Sequence, residues 1–446
     1  MKPRRNSLVL IPQHFGCLVF DRRTSRYLPF DREATELLCA LAREPLHAVL
    51  AGLRDDDRDA VVRFFRCFYE RGFFTLDGHL AADVLDVDVP ADHLVGPLAV
   101  HLEIVGACNL TCTHCFAGVL PRNHHPLTLP ELDTLFGDLA GLGSFRLGLT
   151  GGEPLLRKDL FDVLDVATGH GLHPCLTTNG LLITEEIARR LGERRLVWLN
   201  VSLEGPSAET NDAVRGSGTF DAVVEKLKFL GRHARFTLAF TITRLNAHLV
   251  KECADLAYRV GAHTAVFRPL YPVGVALDHL DLMPTFSQYT GALRDLAGMD
   301  VPGADLRGLD PFSPASRAAT QPQIHTSHTC GAGNHVCSIS VQGDVNPCSF
   351  LGAAFNGGNI RQTPFPVLWR TSQQFRRMRE APKAGGFRGG CRARAQTFAG
   401  SVDAPDPWFE EHLGSSHAAT FHPGANVEAC RLTTEFPYPL TVLSEP

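Results

Sequence analysis

Between residues 7 and 76, apolar positions first alternate in short runs, at 8–11, 17–21 and 26–30. They then recur at helical spacing over 31–43, 46–53 and 57–72. A period of two followed by a period of 3.6 predicts a small winged-helix-like α+β module, a sheet backed by three helices. Val61, Phe64, Phe65 and Phe68 share one helical face, which either packs a core or offers a groove to a partner. Residues 79–97 lose this periodicity and end at Pro97, as a linker does. From residue 98, strand-like runs at 98–105, 145–150, 173–178, 196–203, 236–242 and 264–269 alternate with helical patterns. Six successive βα units predict an α/β fold, a partial (β/α)6 barrel whose post-strand loops gather on one functional face. Beyond about residue 305 the pattern fades into a Pro-, Gly- and His-rich, cysteine-bearing region. The expected organisation is a module over 1–78, a linker over 79–97, a barrel over 98–304 and a cysteine-rich region over 305–446.

A chain of 446 residues, 44% hydrophobic and 20% charged with a net charge of -5, is long enough for two or three well-filled domains. Disordered and collagen-like classes are excluded, and without a basic block nucleic acid is not an expected partner. The apolar run at 8–11 is too short for a secretory signal, and no uncharged stretch is long enough to cross a membrane. A cytoplasmic protein is therefore expected. Thirteen cysteines in such a chain point to metal ligation and buried thiols instead of a disulfide framework.

Three of them, Cys108, Cys112 and Cys115, follow the first barrel strand within one loop, with Phe116 next. Three close thiolates do not complete a four-coordinate zinc site unless His114 or a distant ligand joins them, but they hold three corners of a 4Fe-4S cluster and leave its fourth iron open. Further polar and glycine-bearing segments fall at successive strand ends: Thr150-Gly151-Gly152-Glu153-Pro154, Thr177-Thr178-Asn179-Gly180, and Ser202-Leu203-Glu204-Gly205. Arg268 closes the sixth strand, facing either a functional site or an inner carboxylate. In the last region Cys330, Cys337 and Cys348 flank a hairpin turning at Gly343, which brings Cys330 and Cys348 together; Cys337 is a further ligand or a buried strand thiol. Cys17, Cys39, Cys67, Cys175 and Cys253 sit in apolar segments and read as core, and His325, His328 and His335 as loop decoration.

The cysteine loop resembles that of the radical S-adenosylmethionine enzymes, which carry this spacing with an aromatic residue after the third cysteine. The resemblance implies that Cys108, Cys112 and Cys115 hold a catalytic 4Fe-4S cluster whose open iron binds S-adenosylmethionine, and that a 5′-deoxyadenosyl radical abstracts a substrate hydrogen. It assigns Gly151, Gly152, Glu153 and Pro154 to the methionine amino group, Thr178, Asn179, Ser202 and Glu204 to the ribose and methionine portion, and Arg215 to the cofactor carboxylate. The run from Cys330 to Cys348, with Gly358-Asn359-Ile360, Trp369 and the block at Cys391, resembles the SPASM domain of peptide-modifying radical enzymes. One auxiliary iron-sulfur cluster on Cys330, Cys337, Cys348 and Cys391 is implied; Arg388 stands where a partner of Cys391 is expected, and Cys430 is a possible substitute ligand. The first module resembles PqqD-like domains, which bind a precursor peptide by strand addition. Together these imply a maturase of a ribosomally made peptide that forms a C–C or thioether crosslink, or decarboxylates or epimerises a residue, with flavodoxin or ferredoxin as electron donor. The alternatives are a haem-biosynthesis-type radical enzyme acting on a small molecule, and a non-catalytic iron-sulfur binding protein.

Overall fold

The computed structural model describes residues 5–117, 125–299, 305–308, 330–380 and 390–408. The first module forms β1 (Leu8–Gln13), β2 (Gly16–Asp21) and β3 (Arg26–Asp31), then α1 (Arg32–Arg43), α2 (Leu46–Ala51) and α3 (Asp55–Glu70). Asp31 ends β3 and caps α1, its side chain accepting from the Ala34 amide at 2.9 Å. Within the stretch expected as a linker, β4 (Ala82–Val84) pairs parallel to β1, completing the sheet order β3-β2-β1-β4.

This sheet is buried on both faces. Leu8, Leu10, Cys17, Val19 and Phe30 pack under the three helices with Val61, Phe65 and Phe68, so that helical face is core. Val9, Ile11, Leu18, Phe20 and Tyr27 point the other way, into the main core of the molecule. Phe20 stacks on Phe145 at 4.7 Å. The Tyr27 hydroxyl donates to the Gly143 carbonyl at 2.8 Å and accepts from the Phe145 amide at 2.7 Å. A side chain at Gly143, where φ is +72°, would collide with Ile11.

The second sheet carries the expected six strands, β5 (Ala99–Val105), β6 (Arg146–Gly151), β7 (His173–Thr178), β8 (Trp198–Ser202), β9 (Thr237–Ile242) and β10 (Thr264–Pro269), parallel and in sequence order. It extends further than the hydrophobic pattern predicts. β11 (Asp305–Gly308) adds a parallel strand beside β10, and β12 (Val336–Ile339) returns to pair parallel with β5, followed by antiparallel β13 (Val345–Asn346). The resulting nine-stranded sheet has β11 and β13 at its ends and is not a closed barrel among the described residues. One face is apolar: Val100, Leu102, Leu147, Leu149, Leu176, Val201, Leu238 and Phe267 pack against the crossover helices. The other face is polar, with His101, Cys175, Asn200, Ser202, Thr241 and Arg268 alternating with that set. Cys175, expected as core, therefore lies on the polar face, where the Arg146 and Arg268 guanidiniums act on its thiol. His335, expected as loop decoration, accepts at its carbonyl from the Leu98 amide at 2.7 Å and so starts the β5–β12 pairing. No described helix is long and apolar enough to cross a membrane.

Candidate functional site

The loop carrying Cys108, Cys112 and Cys115 leaves the end of β5 and is held by the ends of the neighbouring strands. Gly151 and Gly152 lie against its backbone: a side chain on Gly152 would come within 2.1 Å of the Ala107 carbonyl, and the Gly152 and Glu153 amides donate to Val105 and Ala107 at 2.7 and 2.8 Å. These glycines thus admit the loop itself. Glu153, which the resemblance assigns to the methionine amino group, follows in the same turn. Its carboxylate is fully buried and accepts from Thr178 Oγ1 and the Asn179 amide at 2.7 Å each, and from the Leu155 amide at 3.0 Å. A carboxylate out of water needs such donors, and they turn Glu153 into a brace between β6 and β7. Burial still raises its pKa, the bonds from Asn179, Thr178 and Leu155 working against that. Pro154 is buried in the same turn. Asn179 carries the brace to the loop, its amide nitrogen donating to Asn109 Oδ1 at 2.8 Å and reaching Cys108 Sγ at 3.9 Å.

Glu204, also expected to line a cofactor, is held by protein groups. One oxygen accepts from His114 Nε2 at 3.0 Å and Arg215 Nε at 3.3 Å, and the other from the Thr241 amide at 2.7 Å. Burial alone would raise its pKa, but the neighbouring His114 and Arg215 side chains and these bonds hold it below the usual carboxylate value. Asn246 supports the turn, donating to the Glu204 and Thr241 carbonyls at 2.7 and 2.8 Å. Arg215 ends α4 (Ala208–Arg215) and is 8% exposed. Ser202 is half-buried at the end of β8, and Arg268 is exposed on the polar face with no hydrogen bond or ion pair among the described residues.

The three thiols suit an iron-sulfur cluster. Cys108 is exposed, Cys112 and Cys115 are half-buried, and none is in a disulfide. Burial pushes Cys112 up to about 11, with Arg215 opposing and Glu204 and the other two thiols adding to the rise; metal is what draws such a proton off. Among the described residues no three His, Cys, Asp or Glu side chains converge on a single ion. His114 Nδ1, between the second and third thiols in sequence, is buried without a hydrogen-bond partner among the described residues.

A second set gathers in the C-terminal region. Cys330, Cys348 and Cys391 pack against a small core of Ala332, Leu351, Phe355, Met378, Ala393 and Val402, and their thiols lie within electrostatic reach of one another. Burial pushes Cys391 up to about 12. The hairpin forms as expected, with Gly343 at the turn (φ +92°), and the Gly333 amide bonds the Pro347 carbonyl at 3.0 Å to tie the Cys330 loop beside Cys348. Cys337 stands apart from this trio. Strand alternation sends it with Ile339 into the main core, although Cys348 still acts on its thiol. Cys430, Arg388, His325 and His328 lie outside the described residues. Two groups the sequence did not reveal hold Cys391: Asp406 accepts from its amide at 2.6 Å and from Arg394 Nε and Nη2 at 2.7 Å each, in an ion pair with both side chains fully buried. Phe350, two residues past Cys348, joins the thiol sets, meeting Phe116 edge-on at 5.8 Å and stacking on Tyr271 at 4.2 Å, while Ser349 reaches His101 at 3.2 Å. The signal available for His114 was its place inside the cysteine spacing; for Asn246, Asp406 and Phe350 there was none.

Residues 102–257 match the model of the Radical SAM superfamily, and residues 330–393 that of the SPASM iron-sulfur cluster-binding domain. The mycofactocin maturase MftC of Mycolicibacterium smegmatis is 34% identical over 373 residues, which cover 79% of this chain and 93% of that protein. An AdoMet-dependent heme synthase of Nitratidesulfovibrio vulgaris is 30% identical over 332 residues, 68% of this chain and 90% of its own. Among solved structures, Streptococcus suis SuiB bound to its precursor peptide SuiA superposes with a TM-score of 0.64 at 15% identity, covering 90% of this chain and 98% of that one, a likeness of fold.

Proposed function

Because this chain belongs to the radical S-adenosylmethionine superfamily, we propose that it is a cytoplasmic maturase of a ribosomally made peptide. Membership brings a 4Fe-4S cluster and S-adenosylmethionine, and the SPASM domain an auxiliary iron-sulfur centre. When bound, they supply a 5′-deoxyadenosyl radical able to take hydrogen from an unreactive C–H bond of a core-peptide residue, so that a C–C or thioether crosslink, a decarboxylation or an epimerisation can follow.

Cys108, Cys112 and Cys115 hold the catalytic cluster, and Arg215 faces the cofactor carboxylate with its remaining guanidinium nitrogens. Phe116, Gly151, Gly152, Pro154, Thr178, Asn179 and Ser202 shape the pocket, while Glu153 and Glu204 act through the groups they brace. Cys330, Cys348 and Cys391 carry the auxiliary centre. His101, Arg268, Tyr271 and Phe350 present the substrate with a polar wall and an aromatic wall that exclude bulk water. The N-terminal sheet recognises the precursor by main-chain pairing at a free edge, and flavodoxin or ferredoxin delivers the electron.

The observation that carries this reading is an open three-thiol loop joined through Phe350 to a second, half-buried three-thiol set across one polar sheet face. The haem-synthase relatives keep a second reading in view, although that match covers only 68% of the chain. The deciding experiment is anaerobic reconstitution followed by dithionite and S-adenosylmethionine, with and without a candidate precursor peptide, sought among short reading frames next to this gene. About eight irons, 5′-deoxyadenosine release and a mass change in the peptide support the maturase. Nucleoside release with the peptide unchanged and a tetrapyrrole altered would favour the haem-type enzyme, and a fully loaded protein that releases no nucleoside would leave a binding protein.

A further inference from the structure

Resting on that reading, we infer that His114 is a positioning residue: through the Glu204 carboxylate it latches the cysteine loop to the end of β8 and to Arg215, so that one buried acid sets both the loop and the cofactor-facing arginine. An ionised carboxylate only accepts, so the proton of the 3.0 Å bond is on His114 Nε2. The acid is 2% exposed and its oxygens take three donors, from the cysteine loop, from the end of α4 and from the β9 backbone at Thr241. A second bond joins the same two elements: the Thr113 amide donates to the Val214 carbonyl at 3.0 Å, one residue from His114 on one side and one from Arg215 on the other. The Glu204 backbone is fixed in turn, its amide donating to Asn211 Oδ1 at 3.0 Å and its carbonyl accepting from Asn246. The anchor is therefore rigid and the loop is what it restrains. Loss of a hydrogen bond to a buried charge is expected to be worth about tenfold in a rate or equilibrium governed by loop opening.

The test uses full-length protein reconstituted with iron and sulfide, as wild type, His114→Phe, Glu204→Gln and the double variant. Iron release to an anaerobic chelator is followed, and the phase belonging to the loop is identified as the one missing in Cys112→Ala. S-adenosylmethionine affinity is measured separately by equilibrium dialysis, without turnover. The loop phase is expected to quicken about tenfold in each single variant and no further in the double, because both remove one contact. His114→Phe should leave cofactor affinity within about twofold, whereas Glu204→Gln, which also releases Arg215, should weaken it about tenfold. Unchanged release in either single variant, or effects that multiply in the double, overturns the latch; so does an equal loss of cofactor affinity in both. A wild-type loop that takes up no iron overturns the functional reading and the latch with it.

Discussion

The two thiol sets are built in opposite ways. Cys108, Cys112 and Cys115 stand on a loop, the first of them exposed, and the loop is held from outside by polar bonds through Glu153, Asn179 and Glu204. Cys330, Cys348 and Cys391 are instead set around apolar side chains and pinned by a fully buried ion pair. A centre that must admit a cofactor and a substrate cannot be walled in by its own core, so its geometry rests on hydrogen bonds at its margin. A centre that exchanges only electrons, or only shapes a pocket, can be sealed by packing. The contrast makes the first sensitive to single polar substitutions and the second to packing and buried charge.

The largest expected effect is at the open centre: Cys112→Ala should abolish 5′-deoxyadenosine release while about four irons remain in the auxiliary set, measured by iron analysis and nucleoside chromatography. Next is Asp406→Ala, which leaves the Arg394 guanidinium buried without its acid and frees the Cys391 amide. It should cost about 3–5 kcal/mol in denaturant unfolding and strip the auxiliary iron before the catalytic iron. A smaller effect concerns pH. Burial, with Arg195, Arg22 and Arg146 nearby, lowers His173 to about 4, and its ring contacts Ser25 at 2.6 Å where the N-terminal sheet meets β7. The folded protein therefore binds this proton less readily than the unfolded chain, whose histidine titrates near 6.5. Stability from this group is full above about 6.5 and is lost as the pH falls towards about 4, amounting to about 1–2 kcal/mol at pH 5; His173→Gln should flatten that part of a thermal-melting profile. The smallest is Cys337→Ala, expected to cost about 1 kcal/mol and leave the iron count unchanged. Loss of auxiliary iron in that variant would return Cys337 to the ligand set.

How much of this was legible follows the range of the interactions. The strands from Ala99–Val105 to Thr264–Pro269 show in the sequence because each alternates locally and is followed by a helix-period segment. Thr128 and Glu131, which cap the first crossover helix reciprocally, are readable for the same reason. Ala82–Val84 did not show, since three residues are too short a run for alternation to stand out and are made a strand by pairing with β1. At the site, spacing marked the catalytic cysteines because their chemistry is local. Glu153 and Glu204 were marked as polar residues at strand ends, but whether such a carboxylate faces a ligand or the protein depends on donors at Thr178, Asn179, His114, Arg215 and Thr241, brought together only by the sheet. Cys337 and Cys391 look alike as letters. They differ because one alternates into a packed core and the other opens a helix beside Asp406.

The N-terminal sheet, covered on one side by its helices and on the other by Phe145 and its neighbours, bears on how such enzymes can be recombined. A recognition element tethered by a linker can be exchanged at the tether. Here a chimera cut near residue 80 would present a foreign sheet to Gly143, Phe145 and His173, without a Tyr27 hydroxyl to bridge the turn or a Phe20 ring to cover it. On the proposed role of this module in precursor recognition, specificity is better transplanted by changing the helices and the outer strand while Val9, Ile11, Leu18, Phe20 and Tyr27, which face the main core, are retained. The seam for engineering then runs through the thickness of the sheet, between its two faces.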